Sequence, residues 1–290
     1  MKALWCKDVE KEFFEKSLDS FSKPEQLFYK TDDNRYVAYW PKNYKGKKTT
    51  LQSRNTLIGK FTETWITTLL QKIVEPMGFY AIQGGICEDF VLTSQSNADV
   101  LITKKNSIIQ QPSDICLIIE VKMSLIWNWE YDESNKQLKC LGDYKTHQGN
   151  PSLLRSDSML KAIGKGLNIR ISHPASNRIP IIIFGNSPIK TSYLEKVDKL
   201  KKSGIIQGFY SVNPMPIEAD DNIKSTLENG FFRFDNYMEL KDEINKLLEL
   251  KLNFFSSMKT KKELGFIIEK ANRKSSYEDK ASEFLKLLEE

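Results

Sequence analysis

The sequence predicts an α/β protein with a mixed central sheet flanked by helices and with a helical C-terminal extension. A nearly continuous apolar run, DICLIIEV from residue 114, has the pattern of a strand that is buried on both faces. After residue 150, strand-like and helix-like segments alternate, which is typical of crossover units with parallel strands. From about residue 219 the chain carries apolar residues at helical spacing.

The composition is that of a folded, soluble protein. Hydrophobic residues make up 40% of the 290 residues, which is enough to supply a core. No stretch approaches the roughly 18 uncharged apolar residues of a membrane span, and charge precedes any apolar run at the start. We therefore expect a cytoplasmic protein. No C-x-x-C pair occurs among the four cysteines, which argues against a disulfide framework or a zinc site.

Positive charge is concentrated in the middle of the chain. The net charge of the whole sequence is +5, which permits nucleic-acid binding without requiring it. Residues 123–209 contain 13 Lys and Arg against 7 Asp and Glu, a surplus larger than that of the whole chain. We therefore expect the chemistry of this region to face an anion.

The elements are assigned in order along the chain. Residues 1–54 mix a charged helix pattern with an aromatic, β-leaning segment, and we treat them as an N-terminal extension. A helix follows, with Asn55 as its N-cap and with Pro76 and Gly78 at its end. Its apolar positions recur at helical spacing: Leu57, Phe61, Trp65, Leu69 and Ile73.

Strands and helices then alternate up to residue 212. Three strand-like runs begin at residues 79, 97 and 114, and a polar loop, 142–152, leads into a second helix. A strand, a charged helix and another strand complete a core over 55–212, and 213–290 form a helix-rich C-terminal region. For the second helix the pattern predicts a buried stripe of Leu153, Leu154, Leu160, Ile163 and Leu167. It leaves Ser158, Lys161, Lys165 and Asn168 on another face.

Charged side chains converge at the end of the strand that starts near residue 114. Glu120 and Lys122 project to the same face because side chains alternate along a strand. If the hairpin with the preceding strand is symmetric about residues 109 and 110, Asp99 lies opposite Glu120. The competing interpretation of an acid-x-Lys sequence at a strand end is a solvated edge without function.

A second acidic residue is the alternative to Asp99. Asp114 follows Pro112 and Ser113, but it precedes Glu120 by six residues on the same predicted strand. At about 3.3 Å per residue the two carboxylates would lie roughly 20 Å apart, which is too far to share a metal. Asp114 therefore stays open only if the strand begins later than predicted.

Two carboxylates beside an ammonium group are suited to phosphodiester hydrolysis. Carboxylate oxygens are the ligands that Mg²⁺ prefers, and Mg²⁺ neutralises developing charge on the phosphate. A cation beside them can orient or acidify the attacking water. No histidine-metal motif is available, because the chain has only His147 and His173, and His147 is expected at the surface. No Walker A sequence occurs, so no nucleotide cofactor is expected.

The order helix, strand, strand with Asp99, strand with Glu120-Val121-Lys122, helix, strand resembles the core of the PD-(D/E)XK nuclease superfamily. It is most similar to the type II restriction endonuclease branch, over roughly residues 55–212. The resemblance implies a restriction-endonuclease-like fold in which Asp99 and Glu120 bind Mg²⁺ and Lys122 assists the water. It also implies that Glu63, on the first core helix, is an auxiliary acidic residue of the site.

The function expected from this resemblance is Mg²⁺-dependent, sequence-specific cleavage of double-stranded DNA. A palindromic site would favour a twofold homodimer. Two alternatives remain open: a repair or junction-resolving nuclease on the same core, and a DNA-binding protein without catalysis. They differ in their substrates, because discrete plasmid fragments indicate restriction and structure-dependent nicks indicate repair.

Contacts to DNA are expected in two places. Lys161 and Lys165 on the second helix are candidates for phosphate contacts, against the alternative of a solvated helix face. In the loop 142–152, Lys145, Gln148 and Asn150 carry donors suited to base edges in the major groove. The alternative for this loop is an ordinary Gly, Asn and Pro turn before a helix.

Overall fold

The computed structural model describes residues 4–20, 22–218, 222–254 and 259–289 of the chain. The strands are β1 (Tyr29–Lys30), β2 (Tyr36–Val37), β3 (Tyr80–Gly85), β4 (Ala98–Thr103), β5 (Ile115–Val121), β6 (Asn128–Asp132), β7 (Gln137–Gly142), β8 (Ile181–Gly185), β9 (Gly208–Ser211) and β10 (Phe231–Arg233). The helices are α1 (Lys7–Asp19), α2 (Pro24–Leu27), α3 (Gln52–Val74), α4 (Ser156–Ser172), α5 (Leu194–Lys202), α6 (Tyr237–Glu249), α7 (Lys261–Ala271) and α8 (Tyr277–Glu289).

A mixed sheet of six strands, flanked by helices, confirms the predicted α/β class. The strand order is β10-β9-β8-β5-β4-β3. The pairs β3/β4 and β4/β5 are antiparallel, whereas β5/β8, β8/β9 and β9/β10 are parallel. The helices α4 and α5 lie in the connections between parallel neighbours, as the alternation of segments predicts. In β5, every residue except Cys116 is buried, as the predicted two-sided burial requires.

The sequence did not reveal a second, smaller sheet. Its order is β1-β2-β6-β7, with antiparallel pairs throughout. The aromatic residues of this region, Trp127, Trp129 and Tyr131, are buried. Two strands of this sheet come from the N-terminal segment, so that segment is part of the unit Met1–Leu250. The residues Lys251–Glu290, with α7 and α8, form a separate unit.

The predicted start of α3 is wrong by four residues. The helix begins at Gln52 rather than after Asn55, and its N-cap Leu51 offers no side-chain hydrogen bond. The extra residues are held by Arg54, whose buried guanidinium donates to the carbonyls of Leu27 and Ala38. A tertiary anchor therefore replaces the local cap that the sequence suggested.

The predicted buried stripe of α4 is also partly wrong. Leu160 and Leu167 are 61% and 41% exposed. The helix instead buries Met159, Ala162, Gly166, Ile169 and Arg170. The reason is close packing at Gly166, where an added Cβ would lie 3.1 Å from the Ile206 side chain. Ala162 and Gly166 are thus on the buried side of the helix, whereas Leu160 and Leu167 are exposed.

The C-terminal helices follow the predicted amphipathic pattern. In α6, Leu240, Ile244 and Leu247 are buried in the core, whereas Leu252 lies beyond its end. The helix α7 begins with a capping box, in which Thr260 and Glu263 satisfy each other's backbone amides. Within the described ranges, no helix combines the length and the apolar composition needed to cross a membrane.

Candidate functional site

The hairpin of β4 and β5 places the predicted acidic residues together. Its register pairs Val100 with Ile119 and Leu101 with Ile118, so paired residue numbers sum to 219 as predicted. One step further along the same register, Asp99 faces Glu120. The backbone N–H of Val121 donates to Asp99 Oδ2 at 2.6 Å, which fixes this carboxylate across the hairpin.

Two lysines bridge these carboxylates. Lys122 Nζ contacts a Glu120 oxygen and lies 3.5 Å from Asp99 Oδ2. Lys165 Nζ lies 2.6 Å from Glu120 Oε2 and 3.6 Å from Asp99 Oδ1. The exposed fractions of these four side chains lie between 10% and 21%. The cluster is therefore largely removed from solvent, and each carboxylate touches two ammonium groups.

The ionisation of Lys122 follows from its neighbours. Burial alone would lower its pKa, but the negative charges of Glu120 and Asp99 outweigh burial and raise the pKa. Lys122 is therefore a protonated ammonium at neutral pH. It can donate hydrogen bonds and stabilise negative charge, but it is not a base.

Glu63 lies at the border of this cluster, close enough for its carboxyl to respond to the charges of Asp99 and Lys122. Its pKa is raised, first by burial and then by the negative charge of Asp99, while Lys122 opposes the shift. Gln83 on β3 donates to Glu63 Oε2 at 3.2 Å and accepts from the Thr64 hydroxyl at 3.0 Å. The amide of Gln83 thus orients the third acidic side chain, which α3 supplies.

Asp114 lies away from this cluster. It sits in a 3₁₀ turn before β5, at the opposite end of the strand from Glu120. Its carboxylate pairs with Lys105 Nζ at 2.9 Å. The strand begins at Ile115, only one residue later than predicted, so Asp114 lies at the far end of β5 from Glu120 and does not share a site with it.

The loop after β5 is tied to β8 by a network that the sequence did not reveal. The Ser152 hydroxyl donates to the Lys122 carbonyl at 2.6 Å and accepts from the backbone N–H of Asn186 at 3.0 Å. The Asn186 side chain bonds both backbone groups of Ser124. Asn186 directly follows an apolar parallel strand, and polar residues at that position are a usable signal for functional sites.

The backbone at Ser152 is strained. Its φ of +49° is in the left-handed region, which residues other than glycine rarely adopt. Ser152 is also buried. Such a conformation persists only where surrounding contacts hold it, and it commonly occurs near functional sites. Here the left-handed backbone conformation brings the Ser152 hydroxyl within hydrogen-bond distance of the Lys122 carbonyl.

The cluster contains oxygen ligands of the kind that Mg²⁺ prefers. Mg²⁺ is usually held by one or two carboxylates, with water and substrate phosphate completing its coordination. Asp99 and Glu120 fit this donor set, and the Val121 carbonyl lies 3.2 Å from Lys122 Nζ as a further oxygen. No group of three or more His, Cys, Asp and Glu in the described part of the chain is arranged to hold a metal ion. The fit therefore rests on two carboxylates rather than on a closed cage.

Lys165 occupies a different place from the one its predicted phosphate contact requires. It faces the carboxylates, and its ammonium also donates to the Asn97 carbonyl at 2.7 Å. Gly166, the next residue, lets α4 approach the sheet closely enough for this contact. Lys161, one turn earlier, is exposed, as a phosphate-binding side chain would be.

If the cluster cleaves DNA, as the resemblance implies, the two lysines of α4 give a prediction that separates catalysis from binding. Lys165→Met should lower the cleavage rate at saturating DNA by about 10²-fold or more, because it removes a preorganised charge from the carboxylates. Its DNA dissociation constant should change by less than about threefold. Lys161→Met is the matched control, and it should weaken binding while leaving the saturated rate intact. Single-turnover kinetics and anisotropy binding measure the two effects, and the reverse pattern would refute the placement of Lys165.

The predicted recognition loop contains residues with different environments. Gln148 donates its amide to the carbonyls of Pro41, Lys42 and Tyr44, so its side chain serves the fold. Asn150 and Lys145 are exposed. Asp143 is buried, and it accepts from the backbone amides of Lys145 and Glu218.

His147 is buried, so the expected surface position is wrong. Its ring stacks on Tyr39 with a centroid distance of 3.9 Å. Nδ1 accepts from the Gly149 amide, and Nε2 lies 3.3 Å from the Ile126 carbonyl. Only the neutral tautomer with a proton on Nε2 satisfies both bonds. Burial lowers the pKa of His147 from 6.5 to about 4.

This histidine predicts a loss of stability in acid. Between pH 6.5 and about 4 the unfolded chain takes up a proton that the folded chain excludes, so unfolding becomes easier as pH falls. The expected contribution is about 3 kcal/mol over this range. Urea unfolding at several pH values should show a shallower acid dependence in His147→Phe. An identical dependence in both proteins would contradict the buried neutral histidine.

The carboxylate–lysine cluster is identified as the candidate site from the contacts among Asp99, Glu120, Lys122 and Lys165. The position of Glu63 supports this identification. No family model, curated protein or solved structure in the comparisons matches the chain.

Proposed function

We propose that this protein is a Mg²⁺-dependent endonuclease that cleaves double-stranded DNA at specific sites. The observation that carries the proposal is the cluster of Asp99 and Glu120 with Lys122 and Lys165 where β4 and β5 adjoin. A restriction-endonuclease-like arrangement of the six-stranded sheet is part of the proposal. So is a twofold homodimer, which would match a palindromic site.

The role of each residue follows from its chemistry. When bound, Mg²⁺ supplies a Lewis acid that stabilises charge on the phosphate, and Asp99 and Glu120 would hold it. Lys122, kept protonated by these carboxylates, orients the water and stabilises the developing negative charge. Glu63 lies at the border of the cluster, and its raised pKa suits it to hold a proton there.

Digestion of a plasmid with Mg²⁺ tests this function against its alternatives. Restriction-type cleavage predicts discrete fragments whose ends share one sequence. Nicks at branched or mismatched DNA, with intact linear duplex, would favour a repair nuclease instead. DNA binding without cleavage in Mg²⁺, Mn²⁺ or Ca²⁺ would contradict an enzymatic role.

A further inference from the structure

A cleft of about 660 Å³ lies next to the loop that follows Lys122. Its floor includes Ser124 and Leu125, which follow Lys122 by two and three residues. One wall comes from the start of α4, the helix that carries Lys165, and the other from residues 48–55. The cleft is thus connected through the backbone to two side chains of the carboxylate–lysine cluster.

The loop of residues 41–49, which we name the lysine loop, adjoins this cleft, because its Lys48 and Thr49 belong to the lining. It contains no acidic residue, and its four lysines, Lys42, Lys45, Lys47 and Lys48, are all exposed. In the described part of the chain, none of these four ammonium groups forms an ion pair. Tyr44, in the same loop, donates its hydroxyl to Asp32. Four positive charges therefore remain available to an external anion.

The lysine loop is rigidly attached to the fold. The Trp40 ring is stacked between Tyr29 and Tyr44, with centroid distances of 4.6 and 4.5 Å. The Gln148 amide binds three carbonyls at the start of the loop, and the Gln148 backbone amide donates to the Trp40 carbonyl. At Gly46 an added Cβ would collide with the Tyr44 ring and with Asp32. A loop that is ordered before binding loses less entropy when it binds.

Two amide side chains line the same cleft without hydrogen bonds of their own. Asn55, on the first turn of α3, and Asn150, in the loop before α4, are both exposed. The structure gives neither side chain a partner among the described residues. A free asparagine amide can pair bidentately with the edge of adenine. Arg155 and Asp157, also in the lining, pair with each other at 2.7 Å.

We propose that this cleft binds the DNA strand next to the scissile phosphate. The lysine loop contacts phosphates, and Asn55 and Asn150 contact base edges. The inference rests on the proposed nuclease function, and it assigns part of the DNA contact to the N-terminal segment. It also separates Asn150 from Gln148, whose amide is already bonded to backbone carbonyls.

A charge-matched pair of variants tests the lysine loop. The first variant replaces its four lysines by glutamine, and the control replaces four lysines of α5: Lys196, Lys199, Lys201 and Lys202. Binding of a fluorescent DNA duplex is measured by anisotropy with Ca²⁺ at several salt concentrations. The slope of log affinity against log salt should fall by about 3 to 4 in the first variant, because each phosphate contact contributes about 0.9. The control should keep most of the wild-type slope.

The outcomes distinguish the cleft from the function itself. Equal slopes in the two variants would overturn the cleft proposal, while Mg²⁺-dependent cleavage by wild type would leave the nuclease proposal standing. A wild-type protein that binds an RNA duplex more tightly than the same DNA sequence would overturn the DNA assignment. Failure of the wild type to bind any duplex would overturn both proposals.

The base contacts are tested separately with Asn55→Ala and Asn150→Ala. Each should reduce the preference for one base position of the cleaved site by about 5- to 150-fold and leave the other positions unchanged. Thermal melting should match wild type, because both side chains are exposed and make no hydrogen bonds in the described chain. Undiminished preference at every position in both variants would overturn the role of these asparagines.

Discussion

Glu120→Gln and Asp99→Asn are each expected to lower the rate of DNA cleavage by at least about 10³-fold. Each substitution keeps the size of the side chain but removes a negative charge that both lysines contact. Because these residues act as one unit, the double variant should be little slower than either single variant. Single-turnover cleavage of a mapped site measures the rate, and circular dichroism monitors the fold.

Asp114→Asn is the matched control for this prediction. It removes a carboxylate from the same strand region, but one that pairs with Lys105 at the other end of β5. Its cleavage rate should stay within about threefold of wild type, since Asp114 lies outside the proposed catalytic cluster. A normal rate in Asp99→Asn together with an inactive Asp114→Asn would contradict the assigned site.

Glu10→Ala should lower the free energy of unfolding by about 3 to 5 kcal/mol. The Glu10 carboxylate is fully buried and accepts four N–H bonds, from the indoles of Trp5 and Trp129 and from the amides of Ile126 and Trp127. Burial raises its pKa to about 7, against the effect of these donors. Alanine would leave all four donors unsatisfied in the core.

Urea unfolding measures this change, with Glu12→Ala on the same helix as the control. Glu12 is exposed and, among the residues that the structure describes, pairs only with Lys16, so its loss should cost less than about 1 kcal/mol. A cost below about 1 kcal/mol for Glu10→Ala would contradict the anchoring role. These hydrogen bonds of Glu10 also matter for the candidate site, because residues 126 and 127 belong to the segment that follows Lys122.

The part of the site formed by one hairpin was predictable from the sequence. Alternation along β5 places Glu120 and Lys122 on one face, and a symmetric loop aligns Asp99 with Glu120. Both are local properties of two neighbouring strands, which sequence patterns report well. The existence of α3 and the alternation of strands and helices after residue 150 were predictable for the same reason, because each depends on the pattern of neighbouring residues.

The residues that sequence patterns missed depend on contacts distant in the chain. The side of α4 that faces the sheet depends on the space left by Gly166 against Ile206, which a helical period cannot reveal. That packing directs Lys165 to the carboxylates and exposes Leu160. The start of α3 depends likewise on Arg54 and two carbonyls from the N-terminal segment.

The small sheet was missed because its strands do not resemble strands when considered alone. The strands β1 and β2 have two residues each, and β6 alternates aromatic with polar residues in a segment that also resembles a loop. Pairing across about a hundred residues of sequence gives them their structure, as in Tyr36 with Tyr131. Such non-local pairing stays hidden until the tertiary fold is known.

Cleavage in ¹⁸O-labelled water tests most directly whether the cluster of Asp99, Glu120, Lys122 and Lys165 hydrolyses DNA. Hydrolysis of a phosphodiester transfers the oxygen of one water to one terminal phosphate for every bond broken. With Mg²⁺, wild-type protein should give fragments that carry one ¹⁸O per terminal phosphate by mass spectrometry, and Glu120→Gln should give no fragments above background. Labelled fragments formed equally well by Glu120→Gln, or fragments without label, would contradict the account.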